Sequence, residues 1–139
     1  MGFREIATIA GSAMTAQTTR LNAVASNLAN AGAAASSEAE AYKARKPVFA
    51  AVMGDSSLNS YAARVQVLDV VETTEPVRKV HEPENPVADA EGYVYYANVN
   101  TVAEMTDMMS ASRAFETNAE VLGRVRSMQQ SLLKLGEQG

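Results

Sequence analysis

The stretch MTAQTTRLNAVASNLAN, residues 14–30, decides the fold because it lacks Gly and Pro and contains one charged residue, Arg20. Its apolar side chains recur in steps of three and four residues, which is the spacing of a coiled-coil seam. The same rhythm extends towards both ends, through Ala7, Ala10, Met14, Gln17, Leu21, Val24, Leu28 and Ala31. The pattern predicts a helix over residues 3–31 that ends at Gly32 in the left-handed conformation.

The opposite face of this helix carries small, uncharged residues, namely Ser12, Thr15, Thr19, Asn22, Ser26 and Asn30. A helix that packs on one side only normally presents a charged face to water. The absence of that charge, together with small side chains that allow close approach, predicts neighbours on more than one side.

A second periodic stretch predicts a helix over residues 99–135. Its apolar stripe runs through Met105, Met108, Ser112, Phe115, Ala119 and Leu122, then slips and resumes at Val125, Met128, Leu132 and Leu135. Such a slip changes the local winding of a coiled coil. Charged residues occupy another face, where Glu120 and Arg124 are spaced to form an i,i+4 ion pair.

Between the helices the period changes to that of short strands, predicted at residues 47–53, 64–71 and 92–96. Turns are predicted at 54–57 and 82–86, and the Ala/Ser-rich segment 31–40 is expected to be mobile. The organisation is therefore an N-terminal helical part (1–35), a β-rich middle (36–98) and a C-terminal helical part (99–139) in one structural unit. The predicted fold class is α+β, mainly α: long terminal helices pair as a coiled-coil-like core around a small β-rich insertion.

The two predicted helices are long for a chain of this size. At 1.5 Å per residue they would extend roughly 44 and 55 Å, whereas a compact domain of 139 residues is roughly 37 Å across. The first helix also has few large seam residues to offset the entropy lost on ordering. We therefore expect an elongated subunit whose terminal helices are frayed until partner surfaces complete them.

Composition excludes several kinds of chemistry. The chain has no Cys, one His and a formal net charge of −4, which is the wrong sign for coating nucleic acid. His81 lies beside Glu82 and Glu84 but near no recognisable nucleophile, so it is predicted to be an exposed loop histidine. Neither catalytic residues, nor a cofactor, nor a metal site is predicted. No apolar segment predicts insertion into a membrane, and the N-terminus lacks the pattern of a secretory signal.

Two stretches resemble the bacterial flagellar axial proteins, the family of rod and hook subunits. LNAVASNLAN at 21–30 is similar to the asparagine-spaced signature near the N-terminus of that family, and ASRAFETN at 111–118, preceded by Gly92-Tyr93-Val94 and Glu104-Met105, is similar to its C-terminal helix. The short length, AGSAM at 10–14 and EPENPVAD at 82–89 further resemble the proximal rod members.

This resemblance implies a structural subunit of the proximal rod, which transmits motor torque to the hook and filament. It implies export from the cytoplasm to the periplasm through the flagellar type III apparatus, unfolded and without a cleaved signal peptide. The implied partners are other rod subunits and further copies of the chain in a helical assembly, the export apparatus, and the base and adaptor proteins of the basal body. Two alternatives remain open from the residues: a soluble helical adaptor or export chaperone acting as a folded dimer, and a small hydrolase using His81.

Seam residues and amides on the helices are the candidate assembly interface. Asparagines on an otherwise apolar helix can bond to neighbouring chains and fix the register, and methionine adapts to non-equivalent contacts. The candidates are Met14, Leu21, Asn22, Val24, Asn27, Leu28 and Asn30 on the first helix, and Met105, Met108, Arg113, Phe115, Asn118, Leu122, Val125 and Leu132 on the second.

Overall fold

The computed structural model describes residues 2–54 and 63–139. Two long helices pack together with a small β region between them, which confirms the predicted fold class. The predicted turn at 54–57 lies outside the described residues from position 55 onwards. The elements in chain order are α1 (Phe3–Ala29), β1 (Ala34–Ala35), β2 (Arg45–Val52), β3 (Arg64–Glu72), β4 (Arg78–His81), β5 (Tyr93–Tyr96) and α2 (Thr101–Glu137).

The chain divides into two compact units, and each long helix contributes to both. Unit 1 comprises Met1–Thr19, Val48–Asp69 and Ser110–Gly139, and unit 2 comprises Arg20–Pro47 and Val70–Met109. In unit 1, the hydroxyl of Ser12 on α1 accepts a hydrogen bond from the backbone N–H of Val65 at 3.0 Å. This contact fastens the beginning of β3 to the first helix.

Side-chain hydrogen bonds cap both ends of helix α1. At its start, the Glu5 carboxylate accepts the backbone N–H of Gly2 at 2.8 Å, which places negative charge where the helix dipole favours it. At its end, the side-chain amide of Asn30 donates to the carbonyl of Ser26 at 2.8 Å. The helix stops two residues earlier than predicted, and the prediction of a left-handed Gly32 is wrong, because the one positive-φ glycine among the described residues is Gly92, at φ 82°.

A three-stranded antiparallel sheet in the order β1-β5-β4 forms in unit 2. Ala34 and Ala35 of β1 pair with Tyr96 and Tyr95, so the segment expected to be mobile contains a strand. Strand β4 was also not predicted, since its residues are charged or polar except for Val80. His81 is exposed as predicted, but it lies at the end of β4 rather than in a loop, and its ring packs 4.9 Å from that of Tyr93.

The connection between β4 and β5 depends on Gly92. A Cβ at this position would approach Cβ of Pro83 to 3.1 Å and Cε1 of His81 to 3.2 Å, so both the positive φ and the crowding favour glycine. The Asp89 carboxylate accepts the backbone N–H groups of Glu91 at 3.0 Å and Tyr93 at 2.7 Å. These bonds fix the entry into β5.

Strands β2 and β3 form a separate two-stranded sheet, and in unit 2 its base is held by Asn98. The Asn98 carbonyl oxygen accepts the backbone N–H of Ala44 at 2.7 Å. Its amide donates to the Thr73 hydroxyl at 3.1 Å and to the carbonyl of Glu75 at 2.7 Å. One side chain shortly before α2 therefore joins the chain entering β2 to the chain leaving β3.

Tyr96 of β5 and Glu82, which directly follows β4, form a hydrogen-bonded pair at the three-stranded sheet. One oxygen of the Glu82 carboxylate accepts both the Asn85 amide at 3.0 Å and the Tyr96 hydroxyl at 2.8 Å. These two bonds, that from Asn85 first, lower the pKa of Glu82 below its ordinary value. The bond to Glu82 raises the pKa of the Tyr96 hydroxyl, because the carboxylate holds its proton.

Replacing Glu82 by Gln should return the pKa of Tyr96 towards that of free tyrosine, because no carboxylate then retains the proton. The measurement is an alkaline titration of the tyrosine ring carbons by NMR. Glu84→Gln, an exposed neighbour in the same turn, is the matched control and should leave Tyr96 unchanged. A Tyr96 titration that is the same in the wild-type chain and in Glu82→Gln would refute the coupling.

Candidate assembly surface of the helix pair

The side chain of Asn27 is completely buried and is the centre of a polar network. Its carbonyl oxygen accepts the backbone N–H of Arg45 at 2.8 Å and the hydroxyl of Tyr42 at 2.9 Å. Its amide donates to the carbonyl of Arg45 at 2.9 Å and to the carboxylate of Glu104 at 3.1 Å. Both lone pairs and both protons of the amide are therefore used within one chain.

A second polar contact joins the same two helices in unit 2. Arg20 of α1 forms an ion pair with Asp107 of α2, both side chains being partly covered. Glu104 itself is 7% exposed, which is unusual for a carboxylate, and it accepts the hydrogen bond of the Asn27 amide. The contact between α1 and α2 in this unit thus includes an amide, two carboxylates and a guanidinium.

The covered face of each helix overlaps the stripe that periodicity predicted only in part, at Ala10 and Val24 on α1 and at Val125 on α2. On α1 the residues Ala16, Ala23 and Asn27 are buried, whereas Met14, Leu21 and Leu28 of the predicted seam are only half-buried. On α2 the buried positions recur at intervals of seven or its double, as Glu104, Ala111 and Val125. The buried residues outside the stripe each precede a stripe position by one residue, which corresponds to about 100° around the helix.

Apart from Val24 and Val125, the buried residues of the two helices are small or polar, and the large apolar ones remain partly uncovered. Small side chains let two helices approach closely, and polar side chains at the contact can then satisfy one another. Sequence periodicity follows the largest apolar side chains, so the stripe it identified includes Met14, Leu21 and Leu28, which are only half-buried. Tyr42, Glu104 and Asp107 were missed, and the one signal for the two acids is their repeat with Ala111 in steps of three and four.

The structure distributes the remaining candidate residues over buried, half-buried and exposed positions. The amides of Asn30 and Asn118 bond back to their own helices, at the carbonyls of Ser26 and Ala114. The exposed candidates are Asn22, Met105, Met108, Arg113 and Leu132, the half-buried ones are Met14, Leu21, Leu28, Asn30, Phe115, Asn118 and Leu122, and the buried ones are Val24, Asn27 and Val125.

The C-terminal turns of α2 carry an apolar stripe without cover in the subunit. Every residue from 126 to 139 is exposed. Met128, Leu132 and Leu135 continue the three-four rhythm from the buried Val125, and each is more than half exposed. On another face of the same helix, the predicted ion pair forms, with 2.7 Å between Nη2 of Arg124 and Oε1 of Glu120. A stripe of large apolar side chains in water is typical of a surface that binds another protein.

The described part of the chain has neither a candidate metal cluster nor a helix suited to span a membrane. No group of three or more His, Cys, Asp or Glu residues is arranged there to hold a metal ion. Within residues 2–54 and 63–139, neither helix has the combination of length and hydropathy needed to cross a bilayer. The features that stand out on the helices are thus two polar contacts inside and apolar stripes outside.

Two family profiles match the terminal parts of the chain. The family described as "Flagella basal body rod protein" matches residues 8–32, and "Flagellar basal body rod FlgEFG protein C-terminal" matches residues 90–135. Among individual proteins, the flagellar basal-body rod proteins FlgC of Escherichia coli O6:H1 and of Salmonella typhimurium are each 44% identical over 137 residues, which covers 99% of this chain and all of theirs. FlgC of Borreliella burgdorferi is 30% identical over 97% of this chain and 98% of its own.

The chain belongs to the FlgC family of flagellar basal-body rod proteins. The resemblance drawn from the terminal motifs is therefore confirmed. The chain is a structural subunit of the flagellar basal body that assembles with other rod proteins, and it is not an enzyme. Neither the folded-dimer adaptor nor the hydrolase using His81 is supported by these relationships.

Replacing Asn27 by Ala should destabilise the isolated chain by about 3 kcal/mol, because the truncation leaves buried partners such as Glu104 without a hydrogen bond. Urea unfolding followed by circular dichroism measures the change. Asn22→Ala on the exposed face of the same helix is the control and should stay within about 0.5 kcal/mol of the wild type. Equal effects of the two substitutions would contradict the buried network.

Replacing Leu132 by Ser should leave the stability of the isolated chain within about 0.5 kcal/mol, since the side chain is already in water. Val125→Ser, seven residues before it on the same stripe but buried, should cost about 2 kcal/mol or more. Chemical unfolding of both variants tests the difference. A loss for Leu132→Ser as large as that for Val125→Ser would show that the end of α2 is covered within the subunit.

Proposed function

We propose that this chain is a subunit of the proximal rod in the periplasm, that it polymerises through the uncovered faces of α1 and α2, and that it transmits motor torque towards the hook. The observation that carries this proposal is the arrangement of the helix pair. Polar residues meet inside the subunit, and large apolar residues lie partly or wholly uncovered outside it. Burial of those apolar side chains against neighbouring subunits would drive polymerisation.

The proposed interface consists of two sets of side chains with different roles. Met14, Leu21 and Leu28 on α1, with Met105, Met108 and Leu132 on α2, are half-buried or exposed and would contact neighbours directly. Asn22 and Arg113 are exposed and would contribute polar contacts at the rim. The remaining candidates, Val24, Asn27, Asn30, Phe115, Asn118, Leu122 and Val125, would support the interface from within or at its edge.

Torque transmission requires that a load on one segment of the subunit reach the others. In unit 2, Asn27 joins α1 to the strand residue Arg45 and to Glu104 of α2, and Asn98 joins the ends of β2 and β3. Fully satisfied polar networks of this kind fix a single arrangement of the segments they connect. We expect them to couple the helices to the strands under load.

Export in an unfolded state would suit a subunit whose hydrophobic core is small. The completely buried side chains are few, with Val24, Asn27 and Val94 the largest among the described residues, so unfolding exposes little large apolar core. The absence of cysteine from the sequence means that no disulfide can form before passage. The proposed partners are accordingly the type III export apparatus, which would take the chain without a cleaved signal peptide, and then the base and adaptor proteins of the basal body.

Replacing Leu28 by Asp should permit expression but block rod assembly, because a carboxylate on the half-covered apolar stripe cannot be buried against a neighbour. Swimming in soft agar and recovery of purified basal bodies measure the effect in cells that lack their own copy. Leu28→Met keeps the volume and apolar character and should restore swimming. Normal swimming by the Leu28→Asp strain would refute a role for this stripe.

A further inference from the structure

A small polar cavity in unit 2 has the carboxylate of Glu104 in its lining. The cavity has a volume of about 190 Å³ and lies among the first residues of β2, the chain that leaves β3 and the first turn of α2. Sites for drug-sized organic molecules have volumes of about 300–1,000 Å³. The cavity is therefore too small for a ligand of that size, but it can hold the end of one long side chain.

The charged groups in this lining favour a cation. Glu75 and Glu104 contribute two carboxylates, and Lys46 contributes one ammonium group. The N-terminus of α2 adds the equivalent of about half a positive charge, so the sum stays negative. Glu104 is only 7% exposed, whereas Glu75 and Lys46 are in water. The least screened charge at the cavity is thus a negative one.

Hydrogen-bond acceptors exceed donors among the side chains of this lining. A carboxylate offers about four acceptor positions, and the Asn27 amide, at 3.1 Å, uses one of those on Glu104. The Thr73 hydroxyl accepts the Asn98 amide at 3.1 Å and has a second lone pair. The Asn98 amide, by contrast, donates both to Thr73 and to the carbonyl of Glu75. The lining is therefore suited to a ligand that donates several hydrogen bonds.

The N-terminus of α2 does not make the cavity a site for an anion. The side-chain oxygen of Asn100 accepts the backbone N–H of Ala103 at 3.1 Å and so caps the helix. Glu104 already places a negative charge in the first turn, where the helix dipole favours it. A bound anion would lie beside this carboxylate, and the two like charges would repel each other.

We propose that this cavity binds the guanidinium group of an arginine that belongs to a partner protein, with Glu104 as its principal acceptor. A guanidinium group presents five N–H donors in a planar fork that matches the geometry of a carboxylate. It is also more weakly hydrated than the ammonium group of lysine, so it enters a small cavity at a lower cost in desolvation. Its charge offsets the excess negative charge of the lining.

A larger cavity beside the first gives the rest of the partner segment a place to lie. Its volume is about 490 Å³, and it shares Glu75, Asn98 and Asn100 with the smaller one. Ala31 and Gly32 also line it, and their lack of bulk lets another backbone approach closely. The arginine thus projects from an extended segment in the larger cavity into the smaller one. The inference requires a protein partner, and it does not depend on polymerisation through the helix faces.

Titration of the isotopically labelled full-length chain with N-acetylarginine methylamide tests the site by ¹H–¹⁵N NMR. We expect saturable shifts of the Asn98 side-chain amide and of the backbone N–H of Ala103. The matching citrulline derivative, whose neutral urea group has nearly the same shape, should cause no saturable shift, and the lysine derivative should bind more weakly. Equal shifts with the arginine and citrulline derivatives, or tighter binding of the lysine derivative, would overturn the proposal.

Glu104→Gln keeps the volume of the side chain and an oxygen that can accept the Asn27 amide, but it removes the charge. It should weaken binding of the arginine derivative about tenfold or more. Glu116→Gln removes the same charge from an exposed position of α2 outside the cavity lining, and it should leave the affinity unchanged. Equal affinities of these two variants would contradict a role for Glu104.

Lys46→Gln tests the site in the opposite direction. It removes an ammonium group from the lining, so it should tighten binding of the arginine derivative by about twofold to fivefold. Damage to the fold does not raise an affinity, and this variant therefore remains decisive even if Glu104→Gln fails to fold. An affinity that Lys46→Gln leaves unchanged or lowers would refute the electrostatic basis of the site.

Photo-cross-linking in purified basal bodies tests for the partner itself. The photoreactive residue p-benzoylphenylalanine replaces Pro76, an exposed residue in the lining of the larger cavity. After irradiation, mass spectrometry should identify an attached peptide that contains an arginine, and the yield of this product should fall when Glu104→Gln is added. An attached peptide without arginine, or a yield that Glu104→Gln leaves unchanged, would overturn the proposed occupant.

Discussion

The side-chain amide of Asn27 holds together three segments that are far apart in the sequence. It bonds to both backbone groups of Arg45, to the hydroxyl of Tyr42 and to the carboxylate of Glu104, so α1, β2 and α2 all depend on it. Because the group is completely buried, every one of its bonds must form within the subunit. The position of the covered face of α1 follows from this requirement.

Covering the polar side of each helix has a consequence for the rest of the surface. When Asn27 and Arg20 face α2, the stripe carrying Leu21 and Leu28 is turned by about 100° and is left half-covered. A protein that functions alone would bury that stripe, since apolar burial is the main source of stability. Under the proposed mode of assembly, the same arrangement would leave this apolar surface for neighbouring subunits.

Prediction from the sequence succeeded where local pattern and structure share a cause. Both long helices, three of the strands and the Glu120–Arg124 pair were predicted, because their periodicity or spacing reflects backbone geometry directly. Strands β1 and β4 were missed because two alanines and a charged tetrapeptide have no strand pattern of their own. Both become strands by pairing with the aromatic β5, a contact that no local pattern encodes.

By itself, the sequence determined the two helices, the uncharged face of the first and the terminal motifs that place the chain among rod proteins. Only the tertiary structure decided which face of each helix lies inside. Periodicity is read from apolar size, whereas the contact between α1 and α2 in unit 2 is selected by close approach and by the hydrogen bond from Asn27 to Glu104. The sequence does not show whether an asparagine amide bonds to a neighbouring subunit or within its own chain. Only the positions of its partners in the tertiary structure distinguish these two cases.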